Sequence, residues 1–218
     1  MSLGIVFKGP EGIVLAVDSR VTLFQETNQG GQKMVIPATY DNAQKLLKVQ
    51  GQDFVGAVTF GVGAFGSKEP RTAHSYLPEF ESELARVSGG EKSKRLSVEA
   101  FAKKLSDFFM RQWKDTGMTV PFAGDMIFYV GGYDENSSHG RVFEVRVPNQ
   151  PAPKEHMASP FFGAIWGGQY EFVDRLINGL DPSLSAAVNE FLQTPAATRN
   201  DQALTDHLKT KFQVPLPW

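Results

Sequence analysis

Short apolar runs separated by turn residues open the chain. Residues 3–7 and 13–17 are apolar and partly β-branched, with glycine and proline between them, which is typical of two strands joined by a tight turn. Residues 45–49 and 54–60 repeat this arrangement around a second glycine-containing turn. Both pairs predict β-hairpins. Residues 23–43, which lie between the two hairpins and are largely polar, predict a long loop.

The rest of the chain alternates helical and strand patterns. Apolar stripes at i, i+3 and i+4 predict helices over residues 72–87 and 97–114, and the second begins with a serine that can cap it. Further strands are predicted at 126–130, 141–147 and 161–165, and further helices at 170–180, 184–192 and 201–212. Hairpin strands with helices in separate runs indicate an α+β fold built on antiparallel sheets, here a single domain over residues 1–218.

Composition excludes several kinds of chemistry. With 22 basic and 24 acidic residues the net charge is −2, which gives no electrostatic reason to expect nucleic acid or an anionic membrane as a partner. The absence of cysteine excludes disulfides, thiolate metal sites and a cysteine nucleophile, and the four histidines lack the spacing of a helical metal site. We therefore expect neither a metal nor a cofactor. Without a long apolar stretch or a signal-peptide pattern, the sequence predicts a cytoplasmic protein.

Three segments of the chain carry motifs in a set order. Residues 12–22 read GIVLAVDSRVT, residues 42–46 read NAQKL, and residues 126–143 contain a hairpin with a double glycine. In order and spacing they resemble the proteasome β-type subunits of the N-terminal-nucleophile hydrolases, and in character their bacterial Anbu-like and HslV-like relatives. The resemblance covers about residues 2–180. It implies a four-layer αββα sandwich, in which helices flank two antiparallel sheets.

The resemblance implies an active site at the start of the chain. The family's nucleophile is the first residue of the mature chain, and its position, 16 before the strand-end aspartate, is Ser2 here. Removal of Met1 would expose Ser2, whose hydroxyl would attack an acyl carbon while its α-amine acts as general base. Asp18 would orient Lys45, and the Lys45 ammonium would lower the proton affinity of the nucleophile.

Further positions follow from the same resemblance. Gly61 matches the residue whose backbone N–H stabilises the oxyanion. Arg20, Thr22 and Gly63 match substrate-binding positions, with Thr22 pairing the substrate backbone as an added strand. The sequence also departs from the family, because its nucleophile is serine rather than threonine and Trp166 stands where a supporting serine is expected. A late Asp and Ser followed by closing strands are not found, so the sheet closes differently or those strands lie outside this sequence.

These features predict a threonine-protease-like peptidase that uses Ser2 to hydrolyse amide bonds of peptides or unfolded proteins. We expect a self-compartmentalising homo-oligomeric ring, with an ATPase as a further partner. Two alternatives stay open: a non-catalytic proteasome-like structural subunit, and an N-terminal-nucleophile amidase of small amides. Dinucleotide binding at the G-x-G-x-x-G run of residues 61–66 is disfavoured, because two helices follow it rather than a parallel strand ending in an acidic residue.

Overall fold

Two antiparallel sheets and one separate hairpin contain all the strands of the described chain. The three-stranded sheet has the order β10-β1-β2, with β1 at Leu3–Lys8, β2 at Ile13–Val17 and β10 at Gly163–Gly168. The separate hairpin pairs β3 (Val21–Gln29) with β4 (Gln32–Tyr40). The five-stranded sheet runs β5 to β9 in chain order: Leu46–Leu47, Val55–Gly61, Met126–Tyr133, Gly140–Val147 and Gln150–His156.

The computed structural model describes residues 2–29, 32–66, 69–87, 95–118, 124–179, 183–195 and 199–212. The chain divides into two units, Met1–Gly168 and Gln169–Trp218. All the strands belong to the first unit, so the predicted opening hairpin and double-glycine hairpin lie in one folded body. The expectation of a single domain over the whole chain stays a prediction.

The two sheets of the first unit pack face to face through a small apolar core. Its buried side chains come from both sheets: Val6, Val58, Phe60, Tyr129 and Val142. The Phe60 ring sits where two facing strands carry glycine. A Cβ atom on Gly4 would lie 2.4 Å from Phe60 Cδ1, and one on Gly167 would lie 2.7 Å from Phe60 Cε2. Glycine at both positions therefore lets β1 and β10 approach this ring.

A layer of helices covers the other face of the five-stranded sheet. A short 3-10 helix (Ala73–Tyr76) leads into α1 (Leu77–Val87), and α2 spans Val98–Asp115. The Ser97 hydroxyl caps α2 by accepting the backbone N–H of Ala100 at 3.2 Å, as the capping signal predicts. Helix α2 packs on β7, β8 and β9. Its core with the sheet is rich in phenylalanine: Phe65, Phe80, Phe101, Phe109 and Phe128 are fully buried.

The second unit is helical in its described part. It contains α3 (Glu171–Asn178), α4 (Leu184–Leu192) and α5 (Asp201–Phe212). Helices α4 and α5 contact each other through an ion pair between Lys211 and Glu190 at 2.9 Å and through the Phe191 and His207 rings, 5.7 Å apart. Within the ranges given above, no helix is both long enough and apolar enough to cross a bilayer.

The predicted α+β class with antiparallel sheets and flanking helices is confirmed, and α4 and α5 have the predicted bounds. The predicted loop at residues 23–43 is wrong, because most of it forms the β3–β4 hairpin, paired from Val21 with Tyr40 to Gln29 with Gln32. The two strands pair through backbone hydrogen bonds, which form whether the side chains are apolar or polar. Because the segment is largely polar, its sequence lacked the apolar alternation by which strands are predicted. Strand β9 was not predicted either, because its sequence is polar and contains two prolines. Proline is tolerated there because β9 is an edge strand of the five-stranded sheet.

We predict that Phe60→Ala lowers the free energy of unfolding by about 3–5 kcal/mol, because it empties the centre of the core between the sheets. The Phe161 side chain is 69% exposed, so Phe161→Ala serves as a control that should change this energy by less than about 0.5 kcal/mol. Urea unfolding of both variants measures the difference. Equal losses would contradict packing of the two sheets through Phe60.

Candidate active site

A buried lysine lies at the start of the five-stranded sheet, within reach of the first described residue. Lys45 precedes β5 and is 5% exposed. Its Nζ lies 2.9 Å from the Ser2 Oγ, and 3.0 and 2.9 Å from the two carboxylate oxygens of Asp18. It also donates to the backbone carbonyl of Arg20. The ammonium is thus surrounded by oxygen acceptors, which is the condition under which a charged lysine is stable in a protein interior.

Asp18 holds both the lysine and the start of the first strand. Its Oδ1 accepts the backbone N–H of Leu3 at 2.8 Å, and its Oδ2 accepts that of Arg20 at 2.9 Å. In return, the Asp18 backbone N–H donates to the Leu3 carbonyl at 3.2 Å. Because Leu3 directly follows Ser2, these bonds place the Ser2 hydroxyl beside the lysine. The structure therefore brings together three of the residues predicted from the sequence.

The electrostatics of this cluster favour a negative charge on the serine oxygen. A charge-assisted hydrogen bond from a shielded ammonium is stronger than one in water, so the ammonium stabilises an oxygen that is losing its proton.

In the core between the sheets, burial raises the pKa of Tyr129, which keeps this phenol neutral. The Tyr129 ring packs on the Phe60 ring, with 4.8 Å between the ring centres. Among the described residues, no group of three His, Cys, Asp or Glu side chains is arranged to hold a metal.

Gly61 ends β6 in a conformation that only glycine adopts easily. Its φ is +84°, and a Cβ there would lie 2.3 Å from the carbonyl oxygen of Asp125. The Thr59 N–H donates to the Lys45 carbonyl at 3.0 Å, so Thr59 bonds toward β5. Backbone N–H groups of an antiparallel strand alternate sides, and that of Gly61, two residues on, points to the same side as Lys45. Gly61 thus presents a backbone donor on the side of the candidate nucleophile.

The three predicted substrate-binding residues, Arg20, Thr22 and Gly63, make different contacts around the cluster of Ser2, Asp18 and Lys45. Gly63 faces Val21 closely, since a Cβ on Gly63 would lie 2.7 Å from Val21 Cγ1. Thr22 follows Val21 on β3 and pairs with Thr39 across the hairpin. The side chain of Arg20, which is 42% exposed, instead pairs with Asp41, with Nε 2.6 Å from Oδ1. The backbone of Arg20, rather than its side chain, belongs to the lysine cluster.

A small pocket with a cavity volume of about 10 Å³, roughly the space that one water molecule needs, lies beside Ser2. Residues from five parts of the chain line it: Ser2, Val21, Lys45, Thr59 with Val62, and Ala73. Thr59 was not predicted from the sequence. It stands directly before the Phe60-Gly61 pair on β6, and only the pairing of β6 with the segment of Lys45 brings it into the pocket.

The end of β10 also lies against Ser2, but through glycine. Gly168 pairs with Leu3 and has a φ of +89°, and a Cβ there would lie 1.9 Å from the Ser2 carbonyl oxygen. Trp166 pairs with Ile5, further along the strand. The expectation that Trp166 takes the place of a supporting serine next to the nucleophile is therefore wrong. The register of β1 with β10 places the backbone of Gly168 there, and the tryptophan lies away from Ser2.

No protein-family model matches the chain, and no curated protein matches it. Solved structures similar to it include an Anbu (Gly-1) mutant from Hyphomicrobium sp. strain MC1, which is 15% identical, with 100% of this chain and 79% of that chain covered and a TM-score of 0.48. The helical assembly of the Anbu complex from Pseudomonas aeruginosa is 15% identical over 86% of this chain and 70% of that chain, with a TM-score of 0.49. Anbu (ancestral beta-subunit) from Yersinia bercovieri is 14% identical over 99% and 78%, with a TM-score of 0.45. These structures are Anbu proteins, the relatives that the sequence resembles in character.

We predict that the pair of Lys45 and Asp18 contributes a coupling energy of about 2 kcal/mol to the free energy of unfolding, because the lysine is shielded from solvent. A double-mutant cycle of Lys45→Met and Asp18→Asn, followed by urea unfolding, measures it. The matched control is the cycle of Arg71→Met and Glu79→Gln. Those side chains are 39% and 49% exposed, so their coupling should stay below about 1 kcal/mol. Equal couplings in the two cycles would contradict the prediction.

Proposed function

We propose that the chain is an N-terminal-nucleophile amidohydrolase of the peptidase type, with Ser2 as the nucleophile once Met1 is removed. One observation carries the proposal: the buried Lys45 ammonium lies 2.9 Å from the Ser2 hydroxyl oxygen and is held there by both oxygens of Asp18. A serine at the second position is small enough to permit removal of the initiator methionine. A candidate nucleophile beside a buried cation, which a carboxylate holds in place, is the arrangement that nucleophilic catalysis requires.

The first half-reaction transfers the acyl group to the enzyme. The free α-amine of Ser2 takes the proton of the Ser2 hydroxyl as Oγ bonds to the acyl carbon. The C=O bond opens to an oxyanion. When the C–N bond breaks, the departing amine receives the proton from the α-ammonium, which leaves an ester on Ser2. Water then attacks the ester with the α-amine as base, releases the acid and regenerates the hydroxyl.

Three groups lower the barrier in this scheme. Lys45 stabilises the developing charge on Ser2 Oγ, and Asp18 positions both Lys45 and the strand that begins at Leu3. The Gly61 N–H donates to the oxyanion, an interaction often worth about 3 kcal/mol. For the substrate, we propose that Thr22 pairs with the peptide backbone and that Gly63 forms the wall of the pocket. The Arg20 backbone carbonyl assists by holding Lys45, while its side chain is paired with Asp41.

The state of the N-terminus is the first test of this proposal. We predict that the intact mass of the purified protein lacks Met1, and that a peptide boronate forms an adduct at Ser2, located by peptide mapping. The Ser2→Ala protein should lose its amidase activity and the adduct while keeping its fold, as judged by thermal unfolding. A retained Met1 would overturn the proposal and leave the structural-subunit alternative. Cleavage of small amides without cleavage of peptides would favour the amidase alternative.

The role of Lys45 is tested with a neighbouring lysine as control. We predict that Lys45→Ala lowers kcat by at least about 100-fold, because the serine oxygen loses its adjacent cation. Lys48 lies three residues further along the chain and is exposed, so Lys48→Ala should leave kcat within about twofold of the wild type. Steady-state hydrolysis of a fluorogenic peptide measures both. Activity that survives Lys45→Ala would show that this assignment is wrong.

Assembly into a homo-oligomeric ring and association with an ATPase stay predictions. A ring would restrict access to the sites to unfolded chains, which an unselective peptidase requires. Large apolar side chains are exposed on the first unit, among them Phe7, Phe54 and Phe161, and apolar surface of this kind is consistent with subunit contacts. Light scattering of the purified chain gives its particle mass, and a monomer would contradict the ring.

A further inference from the structure

The hairpin of β3 and β4 leaves one edge of each strand without a neighbouring strand. The two strands form a sheet of their own, in which neither pairs with a third strand of the described chain. Their pairing is continuous from Val21 with Tyr40 to Gln29 with Gln32. Each strand therefore bonds its partner on one side and presents its other backbone N–H and C=O groups on the opposite side.

A proline shows which residues have outward-facing backbone groups. Pro37 lies within β4, opposite Phe24, and has no N–H to donate to the pairing of the strands. A proline inside a strand is tolerated where its nitrogen points away from the partner strand, so the backbone groups of this pair face outward. Because the direction alternates along a strand, the residues of β3 that face outward are Thr22, Phe24, Glu26 and Asn28.

The segment before β3 shows the same alternation and links the outward edge to the candidate site. The Ser19 carbonyl accepts the Ala43 N–H at 2.9 Å, on the side of the segment that follows β4. The Arg20 carbonyl, one residue further on, accepts the Lys45 ammonium instead. Thr22 follows Arg20 by two residues, so its N–H and C=O point to the side on which Lys45 lies. The outward edge of β3 thus begins beside the candidate active site.

The two outer edges of the hairpin differ in what they can bind. Pro37 interrupts the row of donors on β4, and proline on an edge is one means by which proteins prevent strand pairing. The outward-facing residues of β3 include no proline, so its row of N–H and C=O groups is continuous. An extended polypeptide carries N–H and C=O groups with the same period and pairs with such a row as an added strand.

We propose that the whole outward edge of β3 binds the acyl side of an unfolded polypeptide as an added antiparallel strand, so that the protein acts on long extended chains. The inference rests on the function proposed above and extends the contact at Thr22 to three further positions of β3. A strand antiparallel to β3 runs back toward Val21, which brings the bond to be cleaved to Ser2. Since every second substrate residue bonds to β3, its outward-facing residues correspond to about eight acyl residues.

A series of peptides of increasing length tests the inference. The mature protein is given fluorogenic aminocoumarin amides whose acyl part has about two to about ten residues. We expect kcat/KM to rise about fivefold for every second residue added, as a pair of neutral hydrogen bonds predicts, and to level off at about eight residues. Cleavage at the same kcat/KM for all lengths would overturn the inference and leave the proposed function standing.

Two proline substitutions at paired positions supply a variant and its matched control. Glu26→Pro removes an outward N–H from β3, and Val35→Pro removes the outward N–H of the residue opposite it on β4. We expect Glu26→Pro to lower the ratio of kcat/KM between the longest and the shortest peptide by at least about fivefold, and Val35→Pro to keep the wild-type ratio. An equal fall in both variants would assign the effect to the hairpin as a whole and overturn the inference.

Two further results separate the remaining readings. If no peptide is cleaved and no boronate adduct forms at Ser2, both the proposed function and this inference are overturned. Light scattering shows whether the edge instead pairs with a second copy of the chain. Association of the wild type that Glu26→Pro abolishes, without any dependence of cleavage on peptide length, would assign the edge to that copy and overturn the inference alone.

Discussion

The contact between the Lys45 ammonium and Asp18 is the interaction on which the site depends. It joins the start of β5 to the end of β2, and through the bond from Asp18 to the Leu3 N–H it also sets the start of β1. Removing a charge from water is costly, and here the cost is offset by four oxygen acceptors around one nitrogen. Because loss of any of these acceptors leaves a buried charge less well paired, the relative positions of the three strand ends are tightly restricted. Ser2 lies where these strand ends meet, with its hydroxyl next to the Lys45 ammonium.

Close backbone approach is the second constraint, and glycine meets it at each point where a side chain would collide. Gly4 and Gly167 leave room for the Phe60 ring between the sheets, and Gly168 lies directly on the Ser2 carbonyl. Gly61 turns the chain at the end of β6 against the carbonyl of Asp125. The same ring that fills the core thus stands one residue from the candidate oxyanion donor. The packing of the two sheets and the geometry of the candidate site therefore depend on the same residues. We expect a substitution in the core between the sheets to alter both.

The small cavity beside Ser2 contains a polar side chain to which the described residues supply no hydrogen bond. The Thr59 hydroxyl is shielded from water and unpaired, while the neighbouring ammonium has every hydrogen engaged. A core selected for stability alone would carry valine at this position. A cavity of about 10 Å³ has room for one water molecule, which would supply the missing hydrogen bond.

Much of the fold followed from local patterns: the apolar runs around the first two turns predicted hairpins, and the helical periodicity predicted the bounds of α4 and α5. The proximity of Ser2, Asp18 and Lys45 was expected from the resemblance of short motifs, and the geometry brings the three together. The β3–β4 hairpin and β9 were not predicted. Their segments are polar or contain proline, so they form strands because of backbone pairing with another strand rather than because of their own side-chain pattern. By itself, the sequence indicated which residues form the candidate site and where several of the strands and helices lie. Only the tertiary structure decided that Gly168 rather than Trp166 lies beside Ser2, and that the Thr59 hydroxyl lacks a partner. Register and hydrogen-bond satisfaction are properties of contacts between strands, and no single segment contains them.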